Sequence, residues 1–169
     1  MRQILSGLGL VTLLASPLVA QRAPAAPVQA VIDEFVLTMR DQAAWALVTP
    51  AAYVPVGAIE DVTGKVATVV GVRSAVATAT PDSVLDAFRV ALNTAARRGA
   101  ARTVGLAYMA TVMPPGQTTT VSAVVVEVAH RSGYRANVYF PYVYENTEQP
   151  VFSAPFSRPG LLQGFTTKR

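Results

Sequence analysis

Between residues 81 and 140 the hydrophobic positions change from a helical period to strict alternation, and this segment carries the clearest signal in the chain. Val84, Leu85, Phe88, Ala91, Leu92 and Ala95 recur at helical spacing and predict an amphipathic helix over Pro81 to Arg98. Thr80 supplies a cap ahead of a first-turn proline, and Asp82 and Asp86 suit the positive end of the helix dipole. Arg97, Arg98 and Gly99 suit its close.

Three strand-patterned runs follow, near residues 103–113, 119–130 and 134–140. Val124, Val126, Val128 and His130 alternate along one, and Tyr134, Ala136, Val138 and Phe140 along the next. A two-residue turn would put these sets on opposite faces, whereas the loop Arg131-Ser132-Gly133 pairs His130 with Tyr134 and unites them. That loop needs a left-handed residue at Gly133, which glycine supplies without a Cβ penalty. The preceding strand, turning through Pro114-Pro115-Gly116-Gln117, is assigned to the same face by Val104, Leu106, Tyr108, Ala110 and Val112. The helix stripe against this valine-rich face makes the expected core.

An earlier helix opens at Pro27, with Val28, Val31, Ile32, Phe35, Val36 and Met39 on one side, and ends near Gln42. Trp45 to Val56, broken by Pro50 and Pro55, suits a short edge strand. Asp61-Val62-Thr63-Gly64 predicts a turn, Lys65 to Val72 a strand, and Ser74 to Thr80 a linker. Pro141 ends the last strand or puts it at an edge. The order is α-β-β-α-β-β-β, an α+β domain on a single antiparallel sheet of about five strands with two main helices. The second sheet face, with Gly105, Ala107, Val125 and Glu127, is apolar but small, and the first helix (residues 27–41) is expected to cross it.

Composition changes the picture at the ends. Met1-Arg2-Gln3 precedes an apolar run to Val19, too short and interrupted for a membrane span, and Leu18-Val19-Ala20 suits cleavage. Residues 1–20 therefore predict a signal peptide, 21–26 a flexible leader, 27–145 one α+β domain, and 146–169 a Pro/aromatic tail packed on that domain. The implied location is periplasmic or secreted, with no membrane span after signal removal, and the Arg-over-Lys bias suits a bacterial source. The chain has no cysteine, which excludes disulfides, thiolate catalysis and thiolate metal sites. The formal charge of +4 is mild, and no Lys/Arg run with interleaved aromatics points to nucleic acid.

Candidate chemistry is sparse. His130 is the sole histidine, so a multi-histidine metal site cannot form, and its ordinary use is that of a partly exposed strand-end residue. Glu127 interrupts a valine run, opposite Asn137 and diagonal to Arg135, within reach of a cross-strand ion pair. Tyr134, Tyr139, Tyr142 and Tyr144 group with Phe140 as an aromatic patch. Ser132 is explained by the turn, and neither phosphate-binding glycine loops nor metal-ligand spacings occur. The candidate contact residues are Glu127, His130, Tyr134, Arg135, Asn137, Tyr139 and Tyr142. No catalytic residue, metal or cofactor is assigned. The reading is an exported binding module for a protein partner or small molecule, with a homodimer also allowed. The alternative is a small hydrolase or isomerase using Glu127 or His130 with Arg135 and a tyrosine.

Overall fold

The computed structural model describes residues 24–48, 55–70, 80–145 and 149–165, so the expected signal segment and nearly all of the 74–80 linker lie outside it. The chain order is α1 (Ala26–Val48), β1 (Val56–Asp61), β2 (Val66–Val70), α2 (Pro81–Arg97), β3 (Ala101–Val112), β4 (Val121–His130), β5 (Arg135–Val143), β6 (Val151–Phe152) and β7 (Phe156–Pro159). The class is the expected α+β domain on one antiparallel sheet. Among the described residues the sheet has seven strands rather than about five, ordered β2-β1-β3-β4-β5-β6, with β7 also on β5.

Local chemistry accounts for most boundaries. The Thr80 hydroxyl accepts from the Ser83 N–H at 3.3 Å, Pro81 opens α2, and Gly99 leaves it at φ 80°. In the β4–β5 hairpin, His130 N–H donates to Tyr134 O at 2.9 Å and Gly133 stands at φ 92°, as the three-residue loop requires. The β1–β2 turn is held by the Asp61 carboxylate, which accepts from the Thr63 and Lys65 N–H groups at 2.8 and 3.0 Å.

Three expectations are corrected. α1 runs on through Trp45 to Val48, so no edge strand begins there, and residues 49–54 lie outside the description. Alanines at 43, 44 and 46 sustain the helix where the sequence pattern faded. Pro141 neither ends β5 nor lies at the sheet edge. Its carbonyl accepts from Ser153 N–H at 2.8 Å, and the return donation, which proline cannot make, is where β6 stops.

The third correction concerns the faces. Helices do cover both sides of the sheet, but β3 is phased opposite to expectation. Val104 pairs with Ala129, Leu106 with Glu127, Ala107 with Val126 and Gly105 with Val128. α1 therefore lies on the valine face, where Ile32, Phe35, Val36 and Met39 meet Ala107, Val124, Val126 and Val128. α2 lies on the other, where Leu85, Leu92 and Ala96 meet Val104, Leu106 and Ala129. The expected register would have gathered the large residues of both strands on one face. The observed one sets large beside small on each face, so both helices approach and both bury apolar surface, at about 1.5–3 kcal/mol per fully buried aliphatic side chain.

The chain after β5 closes both layers. Phe152 packs on the α1 side, Phe156 stacks on Tyr139 at 4.8 Å, and Leu162 is fully buried beneath α2. Asn93, Arg135 and Asn137 each hydrogen-bond main-chain atoms between residues 161 and 165.

Candidate functional site

The two faces give the polar residues of the strands two separate environments. On the α2 side Glu127 is fully buried, and its partner is not Arg135 but Arg89 of α2. Arg89 Nη2 lies 2.6 Å from Oε1 and Nε 3.1 Å from Oε2, while Tyr108 O–H donates to Oε1 at 2.9 Å. Arg89 Nη1 also reaches Asp86 at 2.8 Å. Burial, then the adjoining carboxylate, drives the Tyr108 phenol far above its ordinary pKa, so it stays a donor. Both oxygens of Glu127 are thereby hydrogen-bonded within the protein, locking α2 onto the sheet. Arg135 instead donates to Phe165 O at 3.0 Å, because the chain returning under α2 occupies the space beside it. Asn137, paired with Glu127, accepts from Leu161 N–H at 3.3 Å.

On the α1 side a polar row crosses three strands in register. Glu60 of β1 pairs with Thr103 of β3, and Thr103 pairs with His130 of β4. All three are buried, with Glu60 and His130 each 5% exposed, so His130 is no partly exposed strand end. Arg102 Nη2 and the Thr103 hydroxyl both donate to the Glu60 carboxylate. Burial works to raise the Glu60 pKa, but these donors outweigh it and hold the carboxyl below its usual range. Burial pushes His130 below its ordinary value, with Arg102 and Arg131 adding to the effect and Glu60 opposing it. At neutral pH the imidazole is therefore uncharged. Its Nδ1 accepts from Ser132 N–H at 3.1 Å and lies 2.8 Å from Ser132 Oγ, which puts the neutral ring's proton on Nε2.

At the His130 end of this row lies a cavity of about 520 Å³, lined by Pro27, Val28 and Val31 of α1, Val62 of the β1–β2 turn, Arg102, and the hairpin residues His130, Arg131 and Ser132. A second, of about 180 Å³, shares Val31 and Arg102 with it and reaches Glu60 and Gly64. Arg102 Nε is buried and makes no hydrogen bond. The helix start itself offers little to a ligand, since Pro27 has no N–H and the Val28 and Gln29 N–H groups are taken by Ala25 O.

The seven candidate residues are thus divided. His130 enters the cavity wall, and Tyr134 packs against the α1 core nearby. Glu127, Arg135, Asn137 and Tyr139 face α2, with Tyr139 beneath Arg158 at 5.3 Å. Tyr142 lies farther along the α1 side, edge-on to Tyr144 and Phe152 at 5.7 and 6.1 Å, with Phe140 beside Phe152 and Arg40 over both phenylalanine rings. The expected tyrosine patch is consequently split across the sheet, as alternation between Tyr139 and Tyr142 requires. Sequence reasoning missed Arg89, Glu60, Arg102 and Thr103. Arg89 had a readable signal, a cation one residue after Phe88 inside an apolar stripe; Glu60 had none without the β1–β3 register.

Among the described residues no group of three metal-ligating side chains could hold an ion, and no helix is long and apolar enough to cross a membrane. Set against known proteins, the chain matches no family model, no curated protein and no solved structure.

Proposed function

We propose that this chain is an exported, non-catalytic binding module whose ligand is a small molecule held in the cavity over His130. The observation that carries this reading is the cavity's composition. One wall is aliphatic, from Pro27, Val28, Val31 and Val62, and the other presents Arg102, neutral His130, Ser132 and Arg131. Such a site suits a compact apolar body carrying a hydrogen-bond acceptor, with the cationic Arg102 and Arg131 in the wall to meet it. The basic N-terminus followed by an apolar run supports export.

The test is an amide-resonance titration with fragments that join a small apolar ring to a carboxylate or amide. Shifts should cluster on Val28, Val31, Arg102 and residues 130–132, and Val31→Trp, which fills the cavity, should abolish them. Absence of clustered shifts, or binding that survives Val31→Trp, rejects the reading. N-terminal sequencing of protein from its native host tests export, expected to begin near Gln21.

The hydrolase alternative rests on one observation, the 2.8 Å contact between His130 Nδ1 and Ser132 Oγ. Arg135 faces the other side of the sheet, and Tyr134 is the tyrosine beside His130 on its own side. Ester turnover abolished by Ser132→Ala would favour that alternative over a binding module.

A further inference from the structure

The two edges of the sheet are built differently. On one, β6 and β7 run along β5 with a one-residue step in register between them, Tyr142 pairing with Phe152 but Tyr139 with Phe156. That edge also carries Pro155, Pro159 and the exposed Arg158. A register step, prolines and a charge are the devices by which an edge strand is kept from pairing with another chain. The other edge, β2, has none of them. Val66–Val70 reads Val-Ala-Thr-Val-Val, four β-branched strand formers and one alanine, without charge, proline or register step. Among the described residues it pairs with β1 alone, and Val66, Ala67 and Thr68 are exposed.

The hydrogen-bond phase of β2 follows from its turn. Asp61 N–H donates to Lys65 O at 3.0 Å. Antiparallel alternation then directs the N–H and C=O groups of Ala67 and Val69 toward β1, and those of Val66, Thr68 and Val70 outward. We infer that β2 is a self-pairing edge, and that its partner is a second copy of this chain, joined antiparallel about a two-fold axis at Thr68. In that register Thr68 faces its own counterpart in a hydrogen-bonded pair and Val66 faces Val70, so every outward N–H meets an outward C=O. The pairing is even-with-even, so each face of one sheet continues into the same face of the other. An isologous contact of this kind needs no second surface. Lys65 falls just outside the paired run, so the axis brings no two like charges together. Val66 lines the smaller cavity, but no residue of the seam lines the His130 cavity, and this inference stands independently of the ligand reading.

Thr68 gives a clean test, because its N–H points away from β1. Thr68→Pro removes an outward donor and leaves the β1 ladder intact, as proline does on edge strands. Light scattering and sedimentation should find the intact protein at twice its chain mass, and Thr68→Pro at the chain mass with an unchanged circular dichroism spectrum. Thr68→Cys provides a second readout in a chain without cysteine. Facing residues of a hydrogen-bonded antiparallel pair have Cα atoms about 5.5 Å apart, inside the roughly 4.4–6.8 Å that a disulfide spans. Mild oxidation should therefore give a covalent dimer, and this decides the question should the proline variant fail to fold. A wild-type chain that stays monomeric over a wide concentration range overturns the inference. So does a dimer that persists in a folded Thr68→Pro variant, or a Thr68→Cys variant that does not cross-link.

Discussion

The ring of Phe35 in α1 rests on the bare backbone of Gly105 in β3, so closely that a Cβ at Gly105 would stand 2.6 Å from Phe35 Cε1. The absence of a side chain at this one strand position sets how near α1 comes to the sheet. Gly105→Ala should destabilise the fold by about 1–3 kcal/mol through overpacking. Because the clash is with an aromatic ring, adding Phe35→Leu should restore part of the loss. Denaturant midpoints of the two single variants and the double variant check this, and strict additivity would mean the two residues do not meet.

The Arg89–Glu127 pair predicts a steep asymmetry between single and double changes. Arg89→Ala leaves a fully buried carboxylate without its cation and should cost about 3 kcal/mol or more. Replacing both partners together, Arg89→Met with Glu127→Leu, should recover most of that loss, since the pair's own desolvation disappears with it. Tyr108→Phe, which removes only one donor to the carboxylate, should cost about 1.5 kcal/mol. Equal costs for the single and double variants would contradict a sealed pair.

The hairpin separates two neighbouring residues in the same loop. Gly133→Val forces a β-branched residue to φ 92° and should cost about 1 kcal/mol or more. Ser132→Ala should be close to silent in stability, because the N–H that caps His130 Nδ1 is retained. Its effect belongs to the His130 titration and to ligand binding instead. Thermal midpoints of the two variants provide the comparison.

Acid should weaken the fold in two stages. The folded pKa of His130 lies below its unfolded value near 6.5, so its contribution is complete above that pH and is lost as pH falls toward the folded pKa. Glu60 is also depressed, from 4.5, and its contribution is lost only below that value, as pH falls through the folded pKa. Urea midpoints should start to decline near pH 6.5 and decline again below about 4.5. His130→Gln should remove the first decline and leave the second. A variant that keeps the decline that starts near pH 6.5 would show that another group titrates there.

The sequence by itself determined the elements whose cause is local. The α2 stripe, its Thr80 cap and Gly99 stop, the Gly133 hairpin and the Asp61 turn all depend on residues within a few positions of one another, and all lie where the pattern puts them. The order of helices and strands, and hence the α+β class, follows from those elements in turn. What only the tertiary structure decided was which side of each strand meets which helix. A single residue of register between β3 and β4 exchanges the partners of Val104 and Gly105, and the loop between those strands leaves both phases open. The choice was made by packing: α1 needs Gly105 beneath Phe35, and α2 meets Val104 beside the small Ala129. Alternation within β4 and β5 separates Glu127 from His130 and Tyr139 from Tyr142 in either phase. The β3 register buried Glu127 against Arg89 and Tyr108, and set Glu60, Thr103 and His130 in one row that ends at a cavity. Such rows are products of pairing between distant strands, and alternation within a single strand cannot reveal them.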